Sequence, residues 1–331
     1  MITIDGSYGE GGGQIIRTSI ALSIVTKNDV TIHNIRSNRP EPGLKAQHLS
    51  AVKTAVAMTN AKVMGLKSGS TKLTFKPQGI YGGYYEVDIG TAGSITLLLQ
   101  CLMPASVITT GSIILDITGG TDVAWSPPID YLSTVLLPVL TAMGMDCNIQ
   151  VQKRGYYPRG GGKVRFEINP SKLTITDIER EPCTIKGISH CSNLPEHVVQ
   201  NQEQSARIAL EHVGYSSSID MESSHFPSTG SGITLWCGHI GSAALGRRGL
   251  PAKKVGRIAA NKIIKELDSC ASVDVYLADQ LIPYLGLSRG GSFCVREVSE
   301  HTRTNIWVVE QFLDVRFNIE ERNGIYEISL L

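Results

Sequence analysis

Glu10-Gly11-Gly12-Gly13-Gln14 sets three glycines before an apolar, helix-like run. That order suits an anion, because glycine lets backbone N–H groups approach closely and a helix N-terminus favours negative charge. Glu10 would repel the same anion unless a divalent cation lay between them, so Glu10 is expected to hold a metal ion or its water. Arg17 follows Gly13 by one helical turn and is placed to face the same phosphate group. Taken alone, the glycines serve equally as a tight strand-to-helix turn with Glu10 in solvent. Arg36-Ser37-Asn38-Arg39-Pro40 brings two more arginines, three apart in an irregular loop that ends at Pro42-Gly43. Such a pair suits bidentate phosphate contact, with a triphosphate or a polynucleotide as ligand, and a plain surface loop is the alternative. His48 lies on the Leu44 and Val52 side of the following helix, where it reads as a phosphate contact or as a half-buried, hydrogen-bonded histidine.

Arg154-Gly155-Tyr156-Tyr157-Pro158-Arg159-Gly160-Gly161-Gly162-Lys163 holds more glycine than a hairpin needs. Bases stack on tyrosine and phosphates meet arginine, so Arg154 and Arg159 are expected at a nucleic-acid end, with a purely structural turn as the other reading. His301 stands in a polar stretch, Ser299-Glu300-His301-Thr302-Arg303-Thr304-Asn305, where Thr304 or Asn305 would cap a helix beginning at Ile306. Positive charge from Arg303 would keep the imidazole neutral, and the neutral ring is the nucleophile. No histidine pair has the spacing of a metal-ligating helix motif.

Those residues need a scaffold, and 331 residues suffice for about two domains. The net charge of +1 excludes a nucleic-acid field over the whole molecule, leaving local clusters at 153–165 and 247–257, each free of acids. Seven cysteines, an odd number without a paired CxxC, point to unpaired buried thiols in a reducing compartment rather than to disulfides or zinc. The N-terminus lacks a secretory pattern and no long apolar run is present, so a cytoplasmic location is expected.

A repeat organises the chain. Helix-like 14–26, strand-like 30–35, helix-like 44–61 and the strand KLTFKP recur as 94–106, 112–120, 129–144 and the strands CNIQVQKRG and KVRFEI. A third copy runs from 275 to the C-terminus, with an Asn323-Gly324 hairpin turn between its last strands. The expected fold is α/β (α+β): three repeated helix/four-stranded-sheet units forming a large domain around a shared core. Residues 182–271 break the repeat with their own strands and two helices, and read as a smaller α+β domain inserted in the third unit. The large domain then comprises 1–181 and 272–331.

Together these segments resemble the RNA 3′-terminal phosphate cyclase family. The resemblance rests on RGYYPRGGGKV at 154–164, EGGGQIIR at 10–17, RPEPGLKAQH at 39–48, GTAGSITLLLQ at 90–100, GGTDV at 119–123, YLADQL at 276–281 and SEHTRTNI at 299–306. It implies a fold related to enolpyruvyl transferases and an ATP-dependent conversion of an RNA 3′-phosphate into a 2′,3′-cyclic phosphate. His301 then matches the histidine that takes AMP from ATP, and Glu10 a position for Mg²⁺ or Mn²⁺. Gln100, Tyr276, Leu277, Ala278, Asp279 and Gln280 match the nucleotide pocket, while Arg17, Arg36, Arg39 and His48 match residues near the phosphates. A non-catalytic ribosome-assembly factor of the same superfamily is the alternative from another class, and the adenylation histidine separates the two. An enolpyruvyl transferase is suggested by the repeats alone, against the inserted segment and RGYYPRGGG.

Overall fold

The computed structural model describes residues 1–331. The first unit is β1 (Ile2–Asp5), α1 (Gly13–Thr26), β2 (Val30–His33), α2 (Ala46–Thr59), β3 (Lys62–Met64) and β4 (Leu73–Lys76), in the sheet order β1-β2-β4-β3. The second repeats that plan: β5 (Gly83–Asp88), α3 (Ile95–Ser106), β6 (Ile113–Gly119), a long helix, β7 (Cys147–Lys153) and β8 (Gly162–Ile168), ordered β5-β6-β8-β7. Its long helix comprises α4 (Ile129–Tyr131), a π turn at Leu132–Leu136 and α5 (Leu137–Ala142).

Between β9 (Asp177–Ile178) and the rest of the third unit runs a different element set. It comprises β10 (Ile185–Ser192), α6 (His197–Glu211), β11 (Ser217–Ser224), β12 (Gly230–Cys237), β13 (Ile240–Leu245) and α7 (Ala252–Leu267), with its own sheet ordered β11-β10-β12-β13. The third unit resumes with α8 (Val275–Ser288), β14 (Ser292–Val295), α9 (Glu300–Phe312), β15 (Phe317–Arg322) and β16 (Ile325–Leu330). Its sheet is β9-β14-β16-β15, so all three units share one topology: a parallel first pair followed by antiparallel neighbours.

Burial follows the composition of the helices. In α1 the residues from Gln14 to Ile24 are buried except Arg17, because isoleucines and leucines alternate with small Ser19, Ala21 and Ser23 on every side. A helix apolar all round belongs in an interior. Helices α3 and α8 are of the same kind, and the three contribute to a core of 57 buried residues. By contrast, α6 buries Val199, Gln202, Ala206 and Leu210 at three- to four-residue spacing, one face only, against a separate core of 13 residues.

A buried polar seam joins the two bodies. Arg154, 3% exposed, bonds the carboxylate of Asp130 at 2.7 and 3.2 Å and that of Glu222 on β11 at 2.8 to 3.1 Å. The neighbouring Tyr156 bonds His190 Nδ1 at 2.8 Å, and its backbone N–H donates to Ser228 Oγ at 2.7 Å. The arginine expected at a nucleic-acid end therefore spans the seam, because three acids and no solvent surround it. The excess glycine serves close packing within the second unit: a Cβ at Gly155 would lie 2.4 Å from the Gly119 carbonyl oxygen, and one at Gly160 2.9 Å from Thr91 O. Arg159 and Tyr157 stay exposed.

The cysteine expectation fails for one pair. Cys183, just before β10, and Cys237, ending β12, close a disulfide across 54 residues of sequence. Only the antiparallel pairing of β10 with β12 brings them together, so linear spacing carried no sign of it. Cys101 and Cys191 are buried thiols, whereas Cys270 is exposed. No helix is long and apolar enough to cross a membrane.

Candidate active site

The loop from Gly6 to Gly12 meets the start of α9. Tyr8 stacks on Trp307, ring centroids 4.0 Å apart and 12° from parallel, which fixes the loop against the helix. Gly9 (φ +56°) passes so close to Thr304 that a Cβ would lie 2.5 Å from its hydroxyl, and Gly11 (φ +58°) abuts Asn38. Asn38 Nδ2 in turn donates to the Ser7 carbonyl at 3.0 Å, tying in the arginine loop. The glycines thus bring three chain segments together, as well as relieving φ.

Helix α9 begins earlier than the sequence suggests. Ser299 caps it, its Oγ accepting from Thr302 N at 3.1 Å, so His301 sits in the first helical turn. Thr304 and Asn305 are buried helix residues rather than caps. Gln14 fixes the imidazole: its Nε2 donates to the His301 carbonyl at 2.7 Å, which turns its Oε1 towards His301 Nδ1. An amide oxygen only accepts, so Nδ1 carries the proton and Nε2 holds the lone pair.

His301 Nε2 lies 3.0 Å from Glu10 Oε2, and Arg39 Nη2 lies 3.0 Å from the same oxygen. Burial lowers the imidazole pKa, opposed by Glu10 and aided by Arg17 and Arg39. The side chain is 46% exposed, so desolvation is only partial. Arg303 is not among these causes; the cations that keep the ring neutral arrive from α1 and the arginine loop, and the positive end of α9 acts in the same sense.

Gln14 also lines a small polar cavity of about 20 Å³, together with Arg17, Thr18, Gln100, Asp279 and Gln280 among others. Room for roughly one water makes it the floor of a site rather than the whole of it. Two prolines shape this floor. Pro283 inside α8 removes the N–H that would bond the Asp279 carbonyl. That carbonyl instead accepts from Asn305 Nδ2 at 2.7 Å, while Asn305 Oδ1 accepts from Thr18 at 2.8 Å, so one side chain links α8, α9 and α1. Pro104 occupies the matching place in α3, one turn after Gln100, whose Nε2 donates to Gln280 Oε1 at 2.7 Å. Burial pushes the Asp279 carboxyl up to about 7, against the pull of Arg17.

A model of the family described as RNA 3′-terminal phosphate cyclase matches residues 8–319, most of the chain and every residue of this cluster. The chain belongs to the RNA 3′-terminal phosphate cyclase family. A relative of that name from Methanococcoides burtonii is 58% identical over all of both chains, and one from Methanosarcina barkeri is 55% identical, again over all of both. One from Archaeoglobus fulgidus is 48% identical over 95% of this chain and 96% of its own.

Within this cyclase-family chain the structure brings together Glu10, Arg17, Arg39, Gln100, Asp279, Gln280 and His301. His48 adjoins them, 4% exposed: its Nδ1 accepts from Lys45 N at 3.1 Å, and burial first, then Arg17, lowers its pKa to about 3. Arg36 spends its guanidinium on its own loop, donating to the carbonyls of Glu41 and Gly43 at 2.8 and 3.0 Å. Leu277 and Ala278 point into the core, because at helical spacing Tyr276, Asp279 and Gln280 share another face, from exposed Tyr276 to Gln280 at 7% exposure. Arg154 lies in the seam, bonded to Asp130 and Glu222. Gln14 and Asn305 lie in the segments EGGGQIIR and SEHTRTNI and Thr18 directly follows the first, yet none of the three has a site role in the sequence reading. For Gln14 and Thr18 the signal was a polar side chain inside the otherwise apolar α1, where a buried polar group needs a partner.

Proposed function

We propose that this chain is an ATP-dependent RNA 3′-terminal phosphate cyclase that works through a histidine-bound AMP. The single observation carrying the reading is the hold on His301: Gln14 fixes the proton on Nδ1, leaving the Nε2 lone pair free beside Glu10 and the arginines. Nε2 attacks the α-phosphorus of ATP, the Nε2–P bond forms, and the bond to the pyrophosphate oxygen breaks. Cationic Arg17 and Arg39 stabilise negative charge on the phosphates. The face of Tyr276, Asp279 and Gln280, with Gln100 opposite, holds the nucleoside.

AMP then passes to an oxygen of the RNA 3′-phosphate, restoring neutral His301. The adjacent ribose 2′-OH attacks the activated RNA phosphorus, its proton is lost, and AMP departs as the 2′,3′-cyclic phosphate closes. Both reacting groups sit on one ribose, which supplies a large proximity advantage. Glu10 fits a divalent ion, since it offers a hard carboxylate donor, 36% exposed, beside the attacking Nε2 without using that lone pair. Glu10 would hold Mg²⁺ or Mn²⁺, which when bound would offset charge on the triphosphate and the departing pyrophosphate.

Incubation with α-labelled ATP and Mg²⁺ or Mn²⁺, without RNA, should yield an acid-labile protein-AMP adduct that His301→Ala lacks. Retention of the adduct in that variant would overturn the covalent step. An oligoribonucleotide 3′-phosphate should cyclise, whereas its 2′-deoxy-terminated counterpart should not.

A further inference from the structure

Asp274 immediately precedes α8 and is fully buried. Its carboxylate gathers donors from three parts of the chain. Oδ1 accepts from Tyr276 N at 2.9 Å and Leu277 N at 3.0 Å, capping the helix. Tyr131 Oη, from the long helix of the second unit, donates within 2.8 Å of both oxygens. Gly241 N, on β13 of the inserted sheet, donates to Oδ2 at 2.8 Å. The inserted sheet also leans on the same tyrosine: a Cβ at Gly241 would lie 2.6 Å from Tyr131 Cε2. An ordinary helix cap needs only the two α8 amides, so the other two donors require a different explanation.

One turn beyond the cap, α8 presents Tyr276 and Gln280, whose side chain donates back to the Tyr276 carbonyl at 2.7 Å and accepts from Gln100. We propose that Asp274 is a positioning residue that fastens this face of α8 to the inserted sheet, so that ATP affinity depends on a group that never meets ATP. The inference rests on the reading of that face as the nucleoside site. It also gives the inserted body a part in the reaction: through Gly241 it sets the position of the nucleotide helix.

The test compares wild type, Asp274→Asn and Tyr131→Phe in the adenylation assay at varied ATP. Asparagine can still cap α8, but its amide NH₂ and the Gly241 N–H are both donors and cannot pair. Tyr131→Phe keeps the ring against Gly241 and removes only the hydroxyl, so it carries the test if the first variant fails to fold. In both, KM for ATP should rise, by about tenfold in Asp274→Asn for the equivalent of ~1.4 kcal/mol. Transfer of AMP from preformed adenylate to RNA in a single turnover should keep its wild-type rate. A purely structural role would slow both steps together or leave KM unmoved, and either result would overturn the proposal. Wild-type protein that forms no adduct would instead sink the nucleotide reading beneath it.

Discussion

Gln14 holds His301 at two points, donating to its backbone carbonyl at 2.7 Å and accepting from its Nδ1, across 287 residues of sequence. The backbone contact orients the amide, and the amide then selects the tautomer. Gln14→Ala frees the ring to rotate and to place its proton on Nε2, the attacking atom. Adenylation in that variant should slow by about 10- to 100-fold, the effect of ~1.4–2.7 kcal/mol at the barrier. Pre-steady-state formation of labelled adduct measures it directly. An unchanged rate would show that the tautomer is set elsewhere.

The pH dependence of adenylation has a predicted sign. The ring attacks only when neutral, and burial, opposed by Glu10 and aided by Arg17 and Arg39, sets its pKa below the ordinary 6.5. The acid limb of the rate should therefore have its midpoint below pH 6.5. Arg39→Ala removes a nearby cation and releases Glu10 from its ion pair, and both changes favour imidazolium. The limb should move to higher pH in that variant. A shift to lower pH would contradict this electrostatic account.

Much of the scaffold was legible because periodicity survives where helices are long. The apolar runs that became α1, α3 and α8 appear in the sequence in matched order, and the Asn323-Gly324 turn has the positive φ at both residues that its composition implies. The opening strand of each unit was harder to see. β9 is two residues long and pairs with β14 only after the inserted segment has intervened, while β5 is an edge strand whose Tyr84 faces solvent. At the site, charge and glycine marked Glu10, Arg39 and His301. The neutral side chains that orient them, Gln14 and Asn305, left no such mark, since their roles exist only once three helices converge. Arg154 misled for the opposite reason. Composition showed its charge but not the acids at Asp130 and Glu222, which arrive from distant sequence.

Arg154 should govern stability. With 3% of its side chain exposed, it neutralises Asp122, Asp130 and Glu222 where the two bodies meet. Removing one partner of a buried ion pair strands the others, at a cost of about 3–5 kcal/mol. Arg154→Ala should lose stability of that order in denaturant unfolding, with the inserted body released first. Arg159→Ala, five residues on and exposed, should unfold like wild type. Equal midpoints for the two variants would mean that the seam contributes little.

Gly13 and His48 supply a prediction in which one defect should repair another. A Cβ at Gly13 would lie 2.2 Å from His48 Nε2, and His48 cannot simply retreat because its Nδ1 is held by Lys45 N at 3.1 Å. Gly13→Ala must therefore displace the ring or the first turn of α1, and overpacking of this kind costs about 1–3 kcal/mol. His48→Ala alone opens a small void and leaves the Lys45 amide without its acceptor. Combined, the alanine methyl enters space the imidazole vacated. The double variant should be more stable than the sum of the single effects predicts, by about 0.5–3 kcal/mol in a double-mutant cycle. Because Gln14 follows Gly13 directly, Gly13→Ala should also slow adenylation, and relieving the clash should restore part of that rate. Additive stabilities would show that the glycine is required by the path of the backbone rather than by the histidine.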